Sequence, residues 1–328
     1  DFWAANDCTH SYMHTHYYRD DPEPIYIDGY SSDGFTDIAL HYLREHAGDP
    51  FSLFISWAPP HNPYHEMPEE YDIYDPAELQ LRPNTVEKAR EDIAGYYGHI
   101  TALDRNLGRL LLELEELGIA EETIVVFTSD HGDMLGAHGM QRKQKPWDES
   151  IMVPFVMQWP GELPAGLRTD TLINVPDLMP TLLSLMDVEI PDTVQGYDLS
   201  LAARDQGGLE PTSAYIANPM SWTGDHNESP EWRGVRTHAH TYVETLEGPW
   251  LLYDNEYDPF QQSNLIDDQE SEGVREELQA ELKAWMTEIG DDGAPKEVWA
   301  ERFGYTLNER GFPGYVGEVG VHDPDNED

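Results

Sequence analysis

The densest run of residues able to do chemistry is Ser129 to Gly139, SDHGDMLGAHG. In Asp130-His131 a carboxylate oxygen stands beside an imidazole nitrogen, which is two donors of the kind a divalent cation takes. Two donors do not close a coordination sphere, so the pair reads equally as a strand-end aspartate capping the next turn. Twelve residues beyond His131 lies Lys143, clustered with Arg142 and Lys145. That cluster is either an anion contact or a solvated loop paired with neighbouring acids. His61 comes after the apolar run FSLFISW as Asp130 comes after TIVVFTS. A histidine there can serve as an acid or an anion ligand, or simply hold a loop after Pro59-Pro60. His10, His14 and His16 are spaced like a metal site, but Tyr12, Tyr17 and Tyr18 among them favour a pocket wall. Cys8 is the sole thiol. With no base beside it, it reads as a loop cysteine and not as a nucleophile, and one cysteine excludes an internal disulfide or a cysteine-based zinc cluster.

Periodicity supplies the scaffold for these residues. Phe35, Ile38, Ala39, Tyr42 and Leu43 have helical spacing within Ser31 to Gly48. Phe51 to Trp57 fits a buried strand running into a proline-bound loop, and a polar excursion continues to about Pro83. Asn84 with Glu87 three residues on has the capping-box pattern. The helix after it would bury Ile93, Tyr97, Ile100, Leu103, Leu107, Leu110, Leu111 and Leu114, and stop at Gly118. Thr123 to Ser129 and Val153 to Trp159 read as strands, and Asn174 to Asp187 as a helix with Pro176 in its first turn. This alternation predicts an α/β fold with a mostly parallel sheet sandwiched by helices. Asp130-His131 would then sit beyond a strand's carboxyl end, where ligands gather in such sheets.

From about Ala202 the pattern changes. Ser213 to Ala217, Trp232 to Thr237, Thr241 to Thr245 and Trp250 to Asp254 are short strand-like pieces separated by turns, as in a small antiparallel sheet. Ser271 to Ile289 repeats Val274, Leu278, Leu282 and Trp285 at helical intervals. The expected divisions are an α/β part over 1–204, an antiparallel subdomain with its helix over 205–312, and a loose acidic tail over 313–328.

Asp and Glu number 64 against 19 Lys and Arg, a formal net charge of -45. The acids are spread along the chain, which reads as a surface adapted to concentrated salt, with an acidic interaction protein as the alternative. Nucleic acid is a poor partner for such a field. At 39% hydrophobic residues the chain can bury a core, and no run approaches the roughly 18 apolar residues of a membrane span. No basic and then apolar leader opens the sequence, so a cytoplasmic site is the expectation.

The order of segments resembles the sulfatase family of the alkaline phosphatase superfamily. FISWAPPHNPY, YYGHITALDRNLGRLLLELEELGIAEETIVVFTSDHGDMLGAHG, KQKPWDESIMVPFVMQWPG, NVPDLMPTLLSLMDVEIPDTVQGYDLS and WRGVRTHAHTYV with LLYDNEYDPFQQSNL match in sequence over most of residues 1–265. The resemblance implies an alkaline-phosphatase-like α/β fold and hydrolysis of a small aryl, alkyl or sugar sulfate. It assigns Asp130 and His131 to half of a metal shell, calcium first with magnesium or manganese as alternatives. Lys143 would contact sulfate oxygens and His61 the scissile ester oxygen. The family's formylglycine segment, Cys/Ser-x-Pro-x-Arg, does not occur here, nor do its early Asp-Asp pair and its Lys-Trp-His segment. Asp1-Phe2-Trp3 resembles the Gly-Phe-Asp-like stretch just downstream of those segments, so the N-terminal part of the domain is expected outside this chain. A phosphodiester or phosphonate monoester hydrolase of the same superfamily and a non-catalytic remnant are the alternatives, and a homo-oligomer is compatible with all three.

Overall fold

In the computed structural model the described residues are 2–6, 9–221, 229–309 and 311, with the backbone of 313–314. They form two compact units, residues 2–81 with 85–124 and residues 82–84 with 125–314.

The first unit is built on two helices. Helix α1 spans Ser31–His46 and α2 spans Arg90–Leu117, and a short hairpin pairs β1 (His16–Tyr17) with β2 (Ile25–Tyr26). Gly118 stops α2 as expected, its N–H and that of Ile119 closing on the carbonyls of Glu115 and Leu114. The helix does not begin at an Asn84 cap. A single 3-10 turn, Glu87–Ala89, precedes Arg90. The buried face also differs from the apolar pattern. Ile93, Leu103, Leu110 and Leu114 are buried, but so are Gly95, Gly98, His99, Ala102 and Asn106, whereas Tyr97 and Ile100 are exposed.

The small residues explain the rotation of that face. A Cβ on Gly95 would stand 2.1 Å from the Tyr64 carbonyl oxygen, so glycine there lets the loop after His61 lie directly on the helix backbone. The loop closes over Tyr12, Tyr30, Tyr71 and Ala102, which pack together as a buried cluster.

Phe51 to Trp57 is a correction to the expected strands. Its residues alternate between half-buried and exposed, with Phe54 at 92% exposure, yet among the described residues it joins no ladder. Alternation specifies an extended backbone, whereas a strand also needs a neighbour for its N–H and C=O groups.

In the second unit β3 (Val125–Phe127) pairs with β4 (Val156–Gln158), Val126 opposite Met157. That pair is antiparallel, and so is every strand pair among the described residues. A parallel sheet needs further strands beside Val125–Phe127, and none is present among the described residues. Helices α3 (Asp148–Ile151) and α4 (Val175–Leu185) follow, then a single turn, α5 (Ser200–Ala203). Asn174 caps α4 in a full capping box with Asp177, and Pro176 stands in its first turn as expected.

The expected small sheet is present as a four-stranded meander: β5 (Ser213–Asn218), β6 (Trp232–Thr237), β7 (His240–Thr245) and β8 (Gly248–Asp254). One face, carrying Val235, Tyr242 and Leu252, packs on Leu278 and Leu282 of α6 (Glu272–Ile289). The other face, carrying Trp232, Val243, Leu251 and Tyr253, packs on Met134, Ala137 and Trp147. The alternation of a strand thus divides the sheet between a helix and the loop after Asp130-His131. Helix α7 (Lys296–Phe303) and a short pair, β9 (Thr306–Leu307) with β10 (Pro313–Gly314), complete the unit. The rest of the expected acidic tail, 315–328, lies outside the described residues.

Candidate active site

Asp130 and His131 come directly after β3. The His131 Nδ1–H donates to the Gly132 carbonyl at 2.7 Å, since a carbonyl can only accept. That bond turns Nε2 to the other side, 3.5 Å from Asp130 Oδ2. Asp130 Oδ1 is tied down by the His131 N–H at 2.9 Å and the Ser129 hydroxyl at 3.3 Å. Its side chain is 85% exposed, so Oδ2 and Nε2 converge toward solvent. The spacing suits two donors to one cation, each at about 2.0–2.6 Å. Among the described residues no cluster of three or more His, Cys, Asp or Glu is placed to hold a metal, and two donors alone do not close a coordination sphere.

Gly132 fixes the direction in which the pair points. Its N–H donates to the Ser150 carbonyl at 2.9 Å, and a Cβ there would meet the Glu149 carbonyl oxygen at 2.0 Å. Glycine is needed here for this close approach.

Lys143 stands in an unusual stretch of backbone. Its neighbours Arg142 and Gln144 both have left-handed backbones, φ 63° and 69°, as do Leu135 and His138 earlier in the loop. Non-glycine residues hold such angles only when surrounding contacts impose them, and they concentrate at functional sites. The contacts here are specific. Asp133 Oδ1 accepts the N–H groups of Leu135 and Arg142. The Gln144 carbonyl accepts the Trp232 indole N–H at 3.0 Å and the Asn218 amide at 3.3 Å, both from the small sheet. The Lys143 carbonyl accepts the Lys145 ammonium at 3.1 Å. Lys145 is only 3% exposed, and burial lowers its pKa to about 8. The basic cluster of the sequence is therefore not one patch, because Lys145 is an internal strut.

Asn84 belongs to the same unit and locks the loop. Its main-chain carbonyl accepts the His138 N–H at 2.8 Å, and its side-chain amide donates to Glu149 Oε1 and the Phe260 carbonyl and lies 3.1 Å from His138 Nε2. Burial lowers the His138 pKa, which suits a ring nitrogen accepting a hydrogen bond.

His61 lies in the first unit. Its Nδ1–H donates to the Asn62 carbonyl at 2.9 Å, directing Nε2 away from the backbone. The Tyr12 hydroxyl reaches the carbonyls of His61 at 2.8 Å and Asn62 at 3.1 Å. The His10 ring stacks on His61 at 4.6 Å between centroids and 8° between planes. Below the loop, fully buried His99 donates from Nε2 to the Pro63 carbonyl and accepts the Tyr30 hydroxyl at Nδ1, 2.6 Å away. Burial drives the His99 pKa down to about 4, so it stays neutral as this pattern requires.

The three early histidines do not act together. His10 goes to His61, His16 bonds the Tyr18 hydroxyl and packs on Tyr26, and His14 is exposed. Cys8 lies outside the described residues. Tyr12, His99, Asn84 and Trp232 were not marked as site supports by any local signal, since each acts on a partner far along the chain.

The described elements are those of an α/β chain with a carboxylate and an imidazole directly after one strand. The sulfatase family model matches residues 2–188, and a model described as N-sulphoglucosamine sulphohydrolase, C-terminal, matches residues 136–288. The chain belongs to the sulfatase family. It is 38% identical over 320 residues to an ulvan-active sulfatase of Formosa agariphila, covering 94% of this chain and 62% of that one. It is 29% identical to an endo-4-O-sulfatase of Bacteroides thetaiotaomicron, covering 78% of this chain and 55% of that one. A solved structure of a putative sulfatase from Bacteroides fragilis superposes with a TM-score of 0.80 at 27% identity, covering 89% of this chain and 67% of that one. That likeness places the chain in the alkaline-phosphatase-like α/β fold of these proteins. The chain spans somewhat more than half the length of the two curated relatives, 62% and 55%. No described helix is long and apolar enough to cross a membrane.

Proposed function

We propose that this chain is the C-terminal part of a sulfatase that hydrolyses a sulfate ester, ROSO3⁻ with water giving ROH and hydrogen sulfate. A sulfated sugar is the favoured substrate, on the likeness to ulvan-active and endo-4-O-sulfatases, with aryl and alkyl sulfates as simpler members of the class. In this reading residues 1–204 belong to the catalytic part, 205–312 form the C-terminal subdomain, and the formylglycine segment lies on polypeptide preceding Asp1.

The observation that carries the proposal is the convergence of Asp130 Oδ2 and His131 Nε2 at 3.5 Å on the exposed side of the turn. The pair would hold a divalent cation, calcium first and magnesium or manganese second. When bound, that cation supplies positive charge to offset the anionic sulfate and its nucleophile. Lys143 supplies a second positive charge, held on a backbone that cannot relax away from it. A cation and a lysine together favour the transition state, in which negative charge spreads over the sulfuryl oxygens. His61 serves the departing alcohol: with Nδ1–H fixed on Asn62, a protonated Nε2 can give its proton to the ester oxygen as the bond breaks.

The test is release of sulfate, measured by ion chromatography, from a sugar monosulfate and from 4-nitrophenyl sulfate. The complete polypeptide turns both over, loses activity in EDTA and regains it with Ca²⁺. The chain Asp1–Asp328 alone releases none. Turnover by that chain alone would refute the split site, and phosphonate or phosphodiester hydrolysis without sulfate release would move the protein to the phosphorus branch of the superfamily.

A further inference from the structure

The loop that carries His61 is gripped by a segment from the beginning of the chain. Tyr12 bonds the carbonyls of both His61 and Asn62. Glu66 Oε1 accepts from the Ser11 hydroxyl at 3.1 Å and from the Met13 N–H at 3.0 Å. Beside these anchors His10 lays its ring flat on His61, at 4.6 Å and 8°. Two near-parallel rings at that separation form a stacking contact. The Nδ1–H bond to Asn62 settles which nitrogen carries the proton, but a bond at one edge does not by itself fix the plane of a ring. A second flat ring on its face removes that freedom.

We propose that His10 is a positioning residue for His61, its stacked ring fixing the plane in which Nε2 meets the departing ester oxygen. The inference rests on the role given to His61 above. In the step concerned, the S–O bond breaks with its electron pair kept on the alcohol oxygen. That oxygen takes the Nε2 proton and leaves as ROH, while the sulfuryl group passes to the attacking oxygen. The imidazolium becomes neutral imidazole and recovers its proton from the one the nucleophile releases. Proton transfer needs donor and acceptor within hydrogen-bond reach and in line, so a rocking ring weakens the acid without abolishing substrate binding.

The dependence on leaving group separates this role from a purely structural one. A poor leaving group, such as a sugar or alkyl alcohol, needs the proton, whereas 4-nitrophenolate leaves well without it. In the complete polypeptide, His10→Ala lowers kcat for a sugar monosulfate roughly tenfold or more. It leaves kcat for 4-nitrophenyl sulfate within about threefold of wild type, on the same reasoning, and KM nearly unchanged. His10→Phe, which keeps the flat ring without ionisable nitrogens, restores most of the loss. His61→Ala shows the same selectivity, more deeply. His10→Gln, which has no ring, replaces alanine if that variant does not fold. Equal losses on both substrates, or none, in the His10 variants while His61→Ala stays selective would overturn the positioning role and leave the His61 reading standing. If His61→Ala is itself unselective, the acid role of His61 falls and the inference falls with it.

Discussion

The indole N–H of Trp232 donates to the Gln144 carbonyl at 3.0 Å, joining the first residue of β6 to the residue after Lys143. Through this bond the C-terminal sheet helps hold Lys143 between two left-handed residues. Trp232→Phe keeps an aromatic ring against Met134, Ala137 and Trp147 but removes the donor. The expected loss of stability is about 1 kcal/mol, the usual worth of one hydrogen bond, read from the urea midpoint. On the role proposed for Lys143, the KM of the complete polypeptide for a sulfate ester should rise more than kcat falls, because the lysine is less firmly placed. A variant with wild-type kinetics would show that the sheet does not position the lysine.

Glycine replacements should differ in sign according to position. Gly132→Ala forces a methyl group against the Glu149 carbonyl, 2.0 Å away, and the backbone carrying Asp130 and His131 must shift. The expected cost is about 1–3 kcal/mol, as for other overpacked sites. Gly273 lies in α6 with nothing within 4 Å of the added atom. Gly273→Ala should stabilise by about 0.5–1 kcal/mol through helix propensity. Chemical denaturation of the two variants in parallel checks both, and equal effects would show that the close contact at Gly132 is absent in solution.

His99 makes stability depend on pH in a definite window. Its folded pKa is about 4, lowered chiefly by burial, against an ordinary value of 6.5. Between these values the unfolded chain binds a proton that the folded chain refuses, so the stability is complete above pH 6.5 and is lost as pH falls toward 4. The full contribution is about 3 kcal/mol, at 1.36 kcal/mol per pH unit. His99→Asn should flatten the profile in that window and lower stability at pH 7 by breaking the bonds to Tyr30 and Pro63. A wild-type profile already flat from pH 6.5 to 4 would mean that His99 is not buried as a neutral ring.

What could be read in the sequence divides along physical lines. The small sheet and α6 were legible because apolar residues repeat at strand and helix periods and their partners are local or of one kind. The face of α2 was not, because Gly95, Gly98, His99 and Asn106 carry no apolar signal. They are buried by the loop they admit, and Tyr97 and Ile100 are left outside. Asn84 has the local pattern of a cap, but its amide is used by Glu149 and Phe260, far along the chain. Phe51 to Trp57 has the apolar run of a buried strand, while the ladder depends on a neighbour that no local pattern reports. Among the candidate site residues, Asp130-His131 stand out by type and adjacency, and Lys143 and His61 by resemblance. Their supports, Trp232, Lys145, Tyr12 and His10, could not, since each is defined by its contacts in the folded chain.

The acid excess yields the last prediction. A formal charge of -45 on 328 residues repels itself in the compact state more than in the expanded one. That figure already counts every Lys and Arg, several of which stand in ion pairs: Arg44 with Glu113, Arg233 with Asp291 and Arg236 with Asp148. Added salt shortens the Debye length from about 10 Å at 0.1 M to about 3 Å at 1 M, which screens repulsion between surface acids while sparing buried pairs such as Arg233 with Asp291. The midpoint of thermal unfolding should therefore rise steadily with KCl between these concentrations. NaCl should act similarly if the effect is screening alone. A midpoint that does not move with KCl would remove the reading of this surface as one adapted to concentrated salt.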